Sequence, residues 1–334
     1  MFKIIFLKNE RNDATDYYVS LIQKAIENHG YEVKVISEFR EIEKDDKVLT
    51  ISLKGFFFTW LRNPRQFIIH WFQGVTPEEA LMLYKDSFQK RIRWTYLSFF
   101  EKFVLHYSKF NFFVSEAMLR HYINKYRYNR NNYMIMPCYN QKINISGFNK
   151  DKYKYPTFVY AGSLSDWQCI NETLIIFKNV QKVIANAKMY LYTAEKDKAL
   201  KLIDNLKVPN VIIDYIPYSQ LNRKLEKIKY GFLIREDVLV NNVSTPTKMN
   251  GYLANGVIPI FSNCIDDFNL NLIGDFLIKV DPKLDVHEYI IKFEDRKIYS
   301  DNVLKDFSQY FERYYNDDYY LNLILIKFSE FKVI

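Results

Sequence analysis

The stretch Ser244-Thr245-Pro246-Thr247-Lys248-Met249-Asn250-Gly251-Tyr252-Leu253-Ala254-Asn255-Gly256-Val257-Ile258-Pro259-Ile260 reads as a helix start, a short helix, a glycine stop and a buried strand. Thr245 is a good N-cap, and Pro246 suits the first helical position, where no N–H is needed. A capping box would place Glu or Gln at the third helical position. This chain places Lys248 there instead. A cation in the first turn opposes the helix dipole, whose N-terminal end is partly positive. It makes sense where an anion docks on the free N–H groups, the hydroxyls and the ammonium together. A lysine that simply reaches into solvent is the competing reading.

Working outward, the same alternation of strand and helix runs through the second half. Thr157–Tyr160, Lys188–Tyr192, Val211–Asp214, Tyr230–Ile234, Val257–Phe261 and Leu277–Val280 read as strands, with helices over 171–184, 195–206 and 219–227. The first half repeats the pattern. Its strands are Phe2–Leu7, Tyr31–Ile36, Val48–Leu53, Gln66–Phe72, Asn111–Val114 and Tyr133–Met136, with helices over 15–28, 88–104 and 116–125. Two successive βα runs predict an α/β protein with two Rossmann-like doubly wound parallel sheets, which would face a central cleft. Gln141 to Tyr155 is polar and aperiodic and marks the boundary. The expected organisation is 1–145, 156–300, and a helical segment over 301–334.

The 334 residues include 27 Tyr and 27 Phe but only 9 Gly and 9 Pro, a composition of packed domains rather than linkers. The net charge of +8, from 47 basic and 39 acidic side chains, favours anionic partners. Cys138, Cys169 and Cys264 are far apart, with no CxxC or CxxH spacing, so a reducing cytosol and no structural zinc are expected. The first eight residues are too short and interrupted for a signal peptide. No apolar run nears the roughly 18 residues that span a bilayer. The expected protein is soluble and cytoplasmic, or peripheral on the inner face of the cell membrane.

Three loops fall at predicted strand carboxyl ends, where such sheets bind ligands. Gly162 and Ser163, after Thr157–Tyr160, suit backbone approach to a phosphate. Arg235, after Tyr230–Ile234, suits bidentate pairing with a diphosphate, or an ion pair with Glu236 or Asp237. The third is the opening stretch, with Ser244, Thr245, Thr247 and Lys248.

The segments "FVYAGSLSDWQ", "GFLIRED", "STPTKMNGYLANGVIPI" and "IIHWFQGVTPEE" resemble the retaining glycosyltransferases of family 4, above all bacterial enzymes that build capsules, lipopolysaccharide and exopolysaccharide. The resemblance spans nearly the whole chain, is most specific over 157–261 and is looser before residue 60. It implies the GT-B fold, with nucleotide sugar held mainly by the second half and acceptor mainly by the first. It also implies a final helix that crosses back to the first domain. By matching motif it implies that Ser163, Arg235, Lys248 and the N–H groups at Thr247 face the donor diphosphate, with Thr193, Ala194 and Tyr215-Ile216-Pro217 near the base. One departure is plain: the family's Glu on the helix after the proline turn is Gly251 here, and its partner eight residues earlier is Val243. Asn242 or Asn250 is the candidate to replace the lost hydrogen bonds to ribose.

In the first half, His70, Gln73, Gly74 and Glu78 end a strand and open a helix, and suit recognition of sugar hydroxyls. Thr76 and Glu79 have capping-box spacing, which gives Glu79 a structural reading. No Asp-x-Asp element follows a strand, and Asp45-Asp46, Asp266-Asp267 and Asp317-Asp318 read as solvated turns. No metal or other cofactor is therefore expected. The helix around Lys90–Lys102 reads as core-packing with a charged outer face, or as a surface for acidic lipid. No nucleic-acid-binding module accompanies the charge.

These readings converge on a metal-independent glycosyltransferase, with retention, that uses a nucleotide diphosphosugar and a glycan acceptor, with a lipid-linked glycan as the expected acceptor. Arg235, Lys248, Glu78 and His70 are its candidate catalytic residues. A nucleotide-sugar epimerase of the same architecture and a non-catalytic glycan-binding or scaffold descendant are the alternatives.

Overall fold

A computed structural model describes residues 1–8, 10–83 and 87–334. The chain divides into two compact units. Unit 1 comprises Met1–Asn140, Val243–Thr245 and Asn316–Ile334. Unit 2 comprises Gln141–Asn242 and Pro246–Tyr315.

Unit 1 holds six strands: β1 (Phe2–Ile5), β2 (Val33–Ile36), β3 (Lys47–Thr50), β4 (Phe67–Phe72), β5 (Phe110–Phe113) and β6 (Tyr133–Ile135). They form one parallel sheet in the order β2-β1-β3-β4-β5-β6. The central strands are buried along their length, as expected for a sheet covered by helices on its faces. Aromatic packing dominates this core: Tyr18 stacks on Trp71 at 3.9 Å, and Phe110 and Phe112 meet Phe328 edge-on. Phe328 lies on the final helix, Asp317–Glu330, which packs against Asp13–Asn28 and receives the Tyr17 hydroxyl on Asp317 at 2.9 Å. The last helix thus returns to the first unit.

Unit 2 holds β7 (Thr157–Ala161), β8 (Lys188–Tyr192), β9 (Val211–Asp214), β10 (Tyr230–Leu233), β11 (Ile258–Ser262) and β12 (Ile278–Val280). Every pairing is parallel, in the order β12-β11-β10-β7-β8-β9. Numbered within the unit this is 3-2-1-4-5-6 read from β9, the Rossmann order. Its direction reverses between β7 and β10, where such sheets open a ligand crevice. The helix Thr247–Ala254 seats close to β10 because Gly231 has no side chain: a Cβ there would lie 2.7 Å from the Tyr252 ring. The helix ends at Gly256, whose φ of +65° is the left-handed stop that the sequence predicts.

Several expectations need correction. The helix Thr247–Ala254 starts one residue late: Pro246, not Thr245, stands at its cap and makes no side-chain cap bond. Thr245 cannot cap, because its hydroxyl accepts the Cys138 N–H at 2.9 Å. Lys248 is therefore the second helical residue. The segment 301–334 does not stay together. The helix Ser300–Arg313 belongs to unit 2, where Phe307 meets Phe148 and Asp306 accepts the Phe276 N–H. Gln141 to Tyr155 is not loose: buried Lys152 donates to the carbonyls of Gly147, Leu225 and Asn255, locking the segment under the helix end. The aspartate pairs are not simple solvated turns. Asp46 accepts the Glu43 N–H, and buried Asp267 accepts the Tyr314 hydroxyl. The helix Leu53–Arg62 was not anticipated; Ser52 caps it by accepting the Gly55 N–H.

Candidate functional site

The switch point of the second sheet gathers three elements: the loop after β7, the loop after β10, and the first turn of Thr247–Ala254. Arg235 follows β10 and is 5% exposed. Its backbone N–H donates to the Ser262 hydroxyl at 2.7 Å, which aims the side chain across the sheet end. Nη1 donates to the Trp167 carbonyl at 2.9 Å, while Nε is buried with no hydrogen-bond partner. Lys248 reaches the same loop. Its ammonium donates to Gln168 Oε1 at 2.6 Å and lies 4.2 Å from the centre of the Tyr160 ring. Gly162 makes room for it: a Cβ on that residue, which has φ of +145°, would sit 2.8 Å from Lys248 Cε and Nζ.

Neither cation forms an ion pair among the described residues. Burial pulls the Arg235 guanidinium below its ordinary value. Burial, then the neighbouring Arg235 charge, pushes the Lys248 ammonium well below 10.5. Two like charges removed from water without a counter-ion are costly in the free protein. A buried donor without an acceptor adds to the cost. The arrangement can hold an anion, with a carbonyl and a carboxamide oxygen occupying the cations meanwhile.

The rest of the loop is partly committed. Gly162 N–H donates to Tyr192 O, Leu164 N–H to Glu195 Oε1, and the Tyr160 hydroxyl to Ser163 O. Ser163 is exposed, with its hydroxyl 3.3 Å from that of Ser165. Thr247 is half-buried in the first helical turn. Thr193 is buried and its hydroxyl accepts the Glu195 N–H at 3.2 Å; Ile216 is half-buried beyond β9. Trp167, Gln168, Tyr160 and Glu195 had no place in the site as read from the sequence. A backbone carbonyl such as that of Trp167 leaves no trace in side-chain identity.

Other candidates lie elsewhere or are occupied. Ser244 and Thr245 belong to unit 1. Asn250 is fully buried: its carboxamide accepts the Gln141 N–H at 2.9 Å and donates to Gln141 O at 3.1 Å, which closes it to a ribose. Asn242 donates to Asp237 and to Cys264 O. Val243 is buried, and its carbonyl accepts the Ser115 hydroxyl at 2.6 Å. Beside Gly251 stands the Gln141 carboxamide, 3.5 Å from where a Cβ would be, bonded in turn to Tyr218 and Asn255. The slot that a carboxylate would fill is taken by this amide.

In unit 1, His70 is buried on β4, with Nδ1 2.8 Å from the Thr50 hydroxyl and its ring edge-on to Phe56 and Phe72. Burial lowers its pKa to about 3, so it is neutral at physiological pH. Burial alone would raise Glu78, but the His121 ring, whose Nε2 lies 3.7 Å from Oε2, and the Lys125 ammonium, which donates to Oε1 at 2.7 Å, outweigh it and bring Glu78 to about 2. Lys125 also reaches buried Glu101, which burial raises to about 7. Trp94 Nε1 donates to Glu78 as well. Gln73 is exposed at the end of β4 with one long bond, 3.4 Å, to Ile51 O; the Glu79 carboxylate lies over Gly74. No group of three or more His, Cys, Asp or Glu placed to hold a metal occurs among the described residues. None of their helices is long and apolar enough to cross a membrane.

No family model matches the chain, and no curated protein matches it in sequence. Solved structures do match in fold. Sucrose-phosphate synthase from Thermosynechococcus elongatus superposes with a TM-score of 0.71 at 11% identity, over 98% of this chain and 97% of that one. The Anabaena protein HepE, in complex with UDP-glucose, gives 0.70 at 9%, over 98% and 99%. WaaG, a glycosyltransferase involved in lipopolysaccharide biosynthesis, gives 0.64 at 9%, over 97% and 99%. At such identities the likeness establishes architecture: the chain has the GT-B fold, built from two Rossmann-like units.

Proposed function

We propose that the chain transfers a sugar from a nucleotide diphosphosugar to a glycan acceptor, with retention at the anomeric carbon and without a metal ion. One observation carries this reading. Buried Arg235 and half-buried Lys248 lie side by side at a sheet switch point, and among the described residues no carboxylate pairs with either. A diphosphate supplies the negative charge that both lack. On binding it would replace the Trp167 carbonyl and the Gln168 carboxamide, and would give Arg235 Nε its acceptor.

The same pair suits the chemistry. When the bond from the anomeric carbon to the diphosphate breaks, its electron pair ends on phosphate oxygen, and two fixed cations in a dry site stabilise that charge. Positioning of donor and acceptor supplies much of the remainder. We place the chemistry on Arg235 and Lys248. A neutral, core-bound His70 and a Glu78 committed to Lys125 and His121 are better suited to holding the strand end that presents Gln73 to an acceptor. The cationic donor set also suits direct neutralisation of the leaving group rather than capture of a divalent ion. A lipid-linked glycan of cell-surface polysaccharide assembly, met at the cytoplasmic face, is the acceptor class we favour; the fold likeness to WaaG, a glycosyltransferase involved in lipopolysaccharide biosynthesis, supports it.

The test is a turnover assay over a panel of nucleotide diphosphosugars, with and without glycan acceptors and EDTA. Nucleoside diphosphate release that depends on acceptor, persists in EDTA and yields a product with the donor's anomeric configuration is expected. Sugar epimerisation without acceptor would replace transfer by the epimerase reading. Absence of both turnover and nucleotide binding would refute both.

A further inference from the structure

The loop after β7 is fastened to its neighbours at alternate residues. Gly162 N–H donates to the Tyr192 carbonyl at the end of β8, at 2.9 Å. Leu164 is buried and is gripped on both backbone groups by side chains at the start of the helix Lys196–Leu206. Its N–H donates to Glu195 Oε1 at 2.7 Å, and its carbonyl accepts the Lys198 ammonium at 2.6 Å. Both bonds are short and charge-assisted, the stronger kind. Glu195 Oε2 lies 3.8 Å from the same ammonium, and the Glu195 N–H donates to the Thr193 hydroxyl at 3.2 Å. The gripping carboxylate is thus itself held against the end of β8.

The grip leaves particular groups open. The N–H groups of Ser163 and Ser165 donate to nothing among the described residues, and the two hydroxyls lie 3.3 Å apart. Gly162 stands against Lys248, and a few residues on the same loop supplies Trp167 O to Arg235 and Gln168 to Lys248. Holding Leu164 therefore fixes where the free donors stand relative to both cations. The charge of Glu195 points the other way. Burial raises the Tyr160 hydroxyl, Arg235 opposes that, and the Glu195 carboxylate is among the charges that add to the rise. Lys248 lies over the same Tyr160 ring. A carboxylate whose field reaches this far disfavours an incoming anion. Its presence is explained by its bond to Leu164, not by its charge.

We propose that Glu195 is a positioning residue of the donor site: by gripping Leu164, with Lys198 on the opposite side of that residue's peptide, it holds the loop from Gly162 to Gln168 in the form that receives a diphosphate. The role rests on the diphosphate site proposed above and extends it to a residue that acts only through Leu164.

Calorimetric titration of the full chain with inorganic pyrophosphate, which carries the diphosphate and no base, tests it. Glu195→Ala strands the Leu164 N–H and should weaken binding on the order of tenfold. Glu195→Gln keeps an acceptor oxygen and removes the opposing charge, so its affinity should match or exceed the native value. Glu195→Asp keeps the charge without the reach; it should bind as weakly as the Ala variant and stays informative if that variant unfolds. Native affinity in the Ala and Asp variants, with only the melting temperature lowered, would overturn the proposal by making Glu195 a structural tie. A Gln variant as weak as Ala would overturn it too, because the charge and not the bond would then matter. Lys248→Met in the same titration separates the two levels. If it weakens pyrophosphate binding and Glu195→Ala does not, the positioning role alone fails. If neither does, or the native chain binds no pyrophosphate, the diphosphate site fails and the role with it.

Discussion

Replacing Lys248 by Met should move stability and ligand affinity in opposite directions. The side chain keeps its length and its packing over Tyr160 but loses the ammonium. In the free protein that ammonium is buried beside Arg235, and both effects disfavour its charge. Its removal should therefore leave the melting temperature unchanged or raised, in spite of the lost bond to Gln168. Nucleoside diphosphate binding should weaken by about 1.5–3 kcal/mol, the worth of a charged hydrogen bond, or roughly 10- to 150-fold in Kd. The pH dependence follows with a definite sign. Between the lowered pKa of Lys248 and 10.5, the unfolded chain holds a proton that the folded chain releases. Stability of the ligand-free native protein thus rises with pH across that window. Diphosphate affinity falls over the same window as the ammonium is lost. Lys248→Met should flatten both contributions. Calorimetric titration and thermal unfolding, run across pH on both proteins, read all four quantities. Reduced stability with unchanged affinity would mean that Lys248 is a packing residue and that the argument from buried charge is wrong.

Other substitutions test the surroundings. Gly162→Ala puts a Cβ 2.8 Å from Lys248 Nζ at a φ of +145°, so diphosphate affinity should drop on titration; native affinity would show that the loop does not help form the site. Asn250→Ala strands the buried N–H and C=O of Gln141, at about 1–3 kcal/mol for each group, and denaturant unfolding should report the loss. Its nucleotide affinity should stay native, and a selective loss of affinity would restore Asn250 to the donor site. Glu101 has a folded pKa raised from 4.5 to about 7, so the folded chain holds an extra proton between these values. This group lowers stability as pH rises through that range, and Glu101→Gln should remove its slope from a stability–pH curve.

Much of the fold was legible because the buried strands are short apolar runs separated by helices with clear periodicity. Lys188–Tyr192 and Val211–Asp214 occur as strands at the bounds read from sequence. Leu53–Arg62 was missed because Gly55 and a run of aromatics obscure its helical period, and its cap, Ser52, works through a single hydroxyl. At the candidate site, Lys248 stands out in sequence because a cation in the first turn of a helix is locally unfavourable, and Gly162 and Arg235 stand out because they follow predicted strands. Thr245 and Asn250 look equally suited to a ligand, yet their partners are Cys138 and Gln141, more than a hundred residues away. Short polar side chains satisfy backbone groups as readily as ligands. Which they do depends on contacts that no local pattern encodes. His70 and Glu78 illustrate the same limit: only the packed structure reveals that one is neutralised by burial and the other held by His121 and Lys125.

The most direct test of the account is a crystal structure of the chain soaked with a nucleoside diphosphate. The phosphates should lie between Arg235 and Lys248, within hydrogen-bond distance of the guanidinium and the ammonium, with Gln168 displaced from Lys248. Diphosphate bound elsewhere, with Arg235 still on the Trp167 carbonyl and Lys248 still on Gln168, would contradict it.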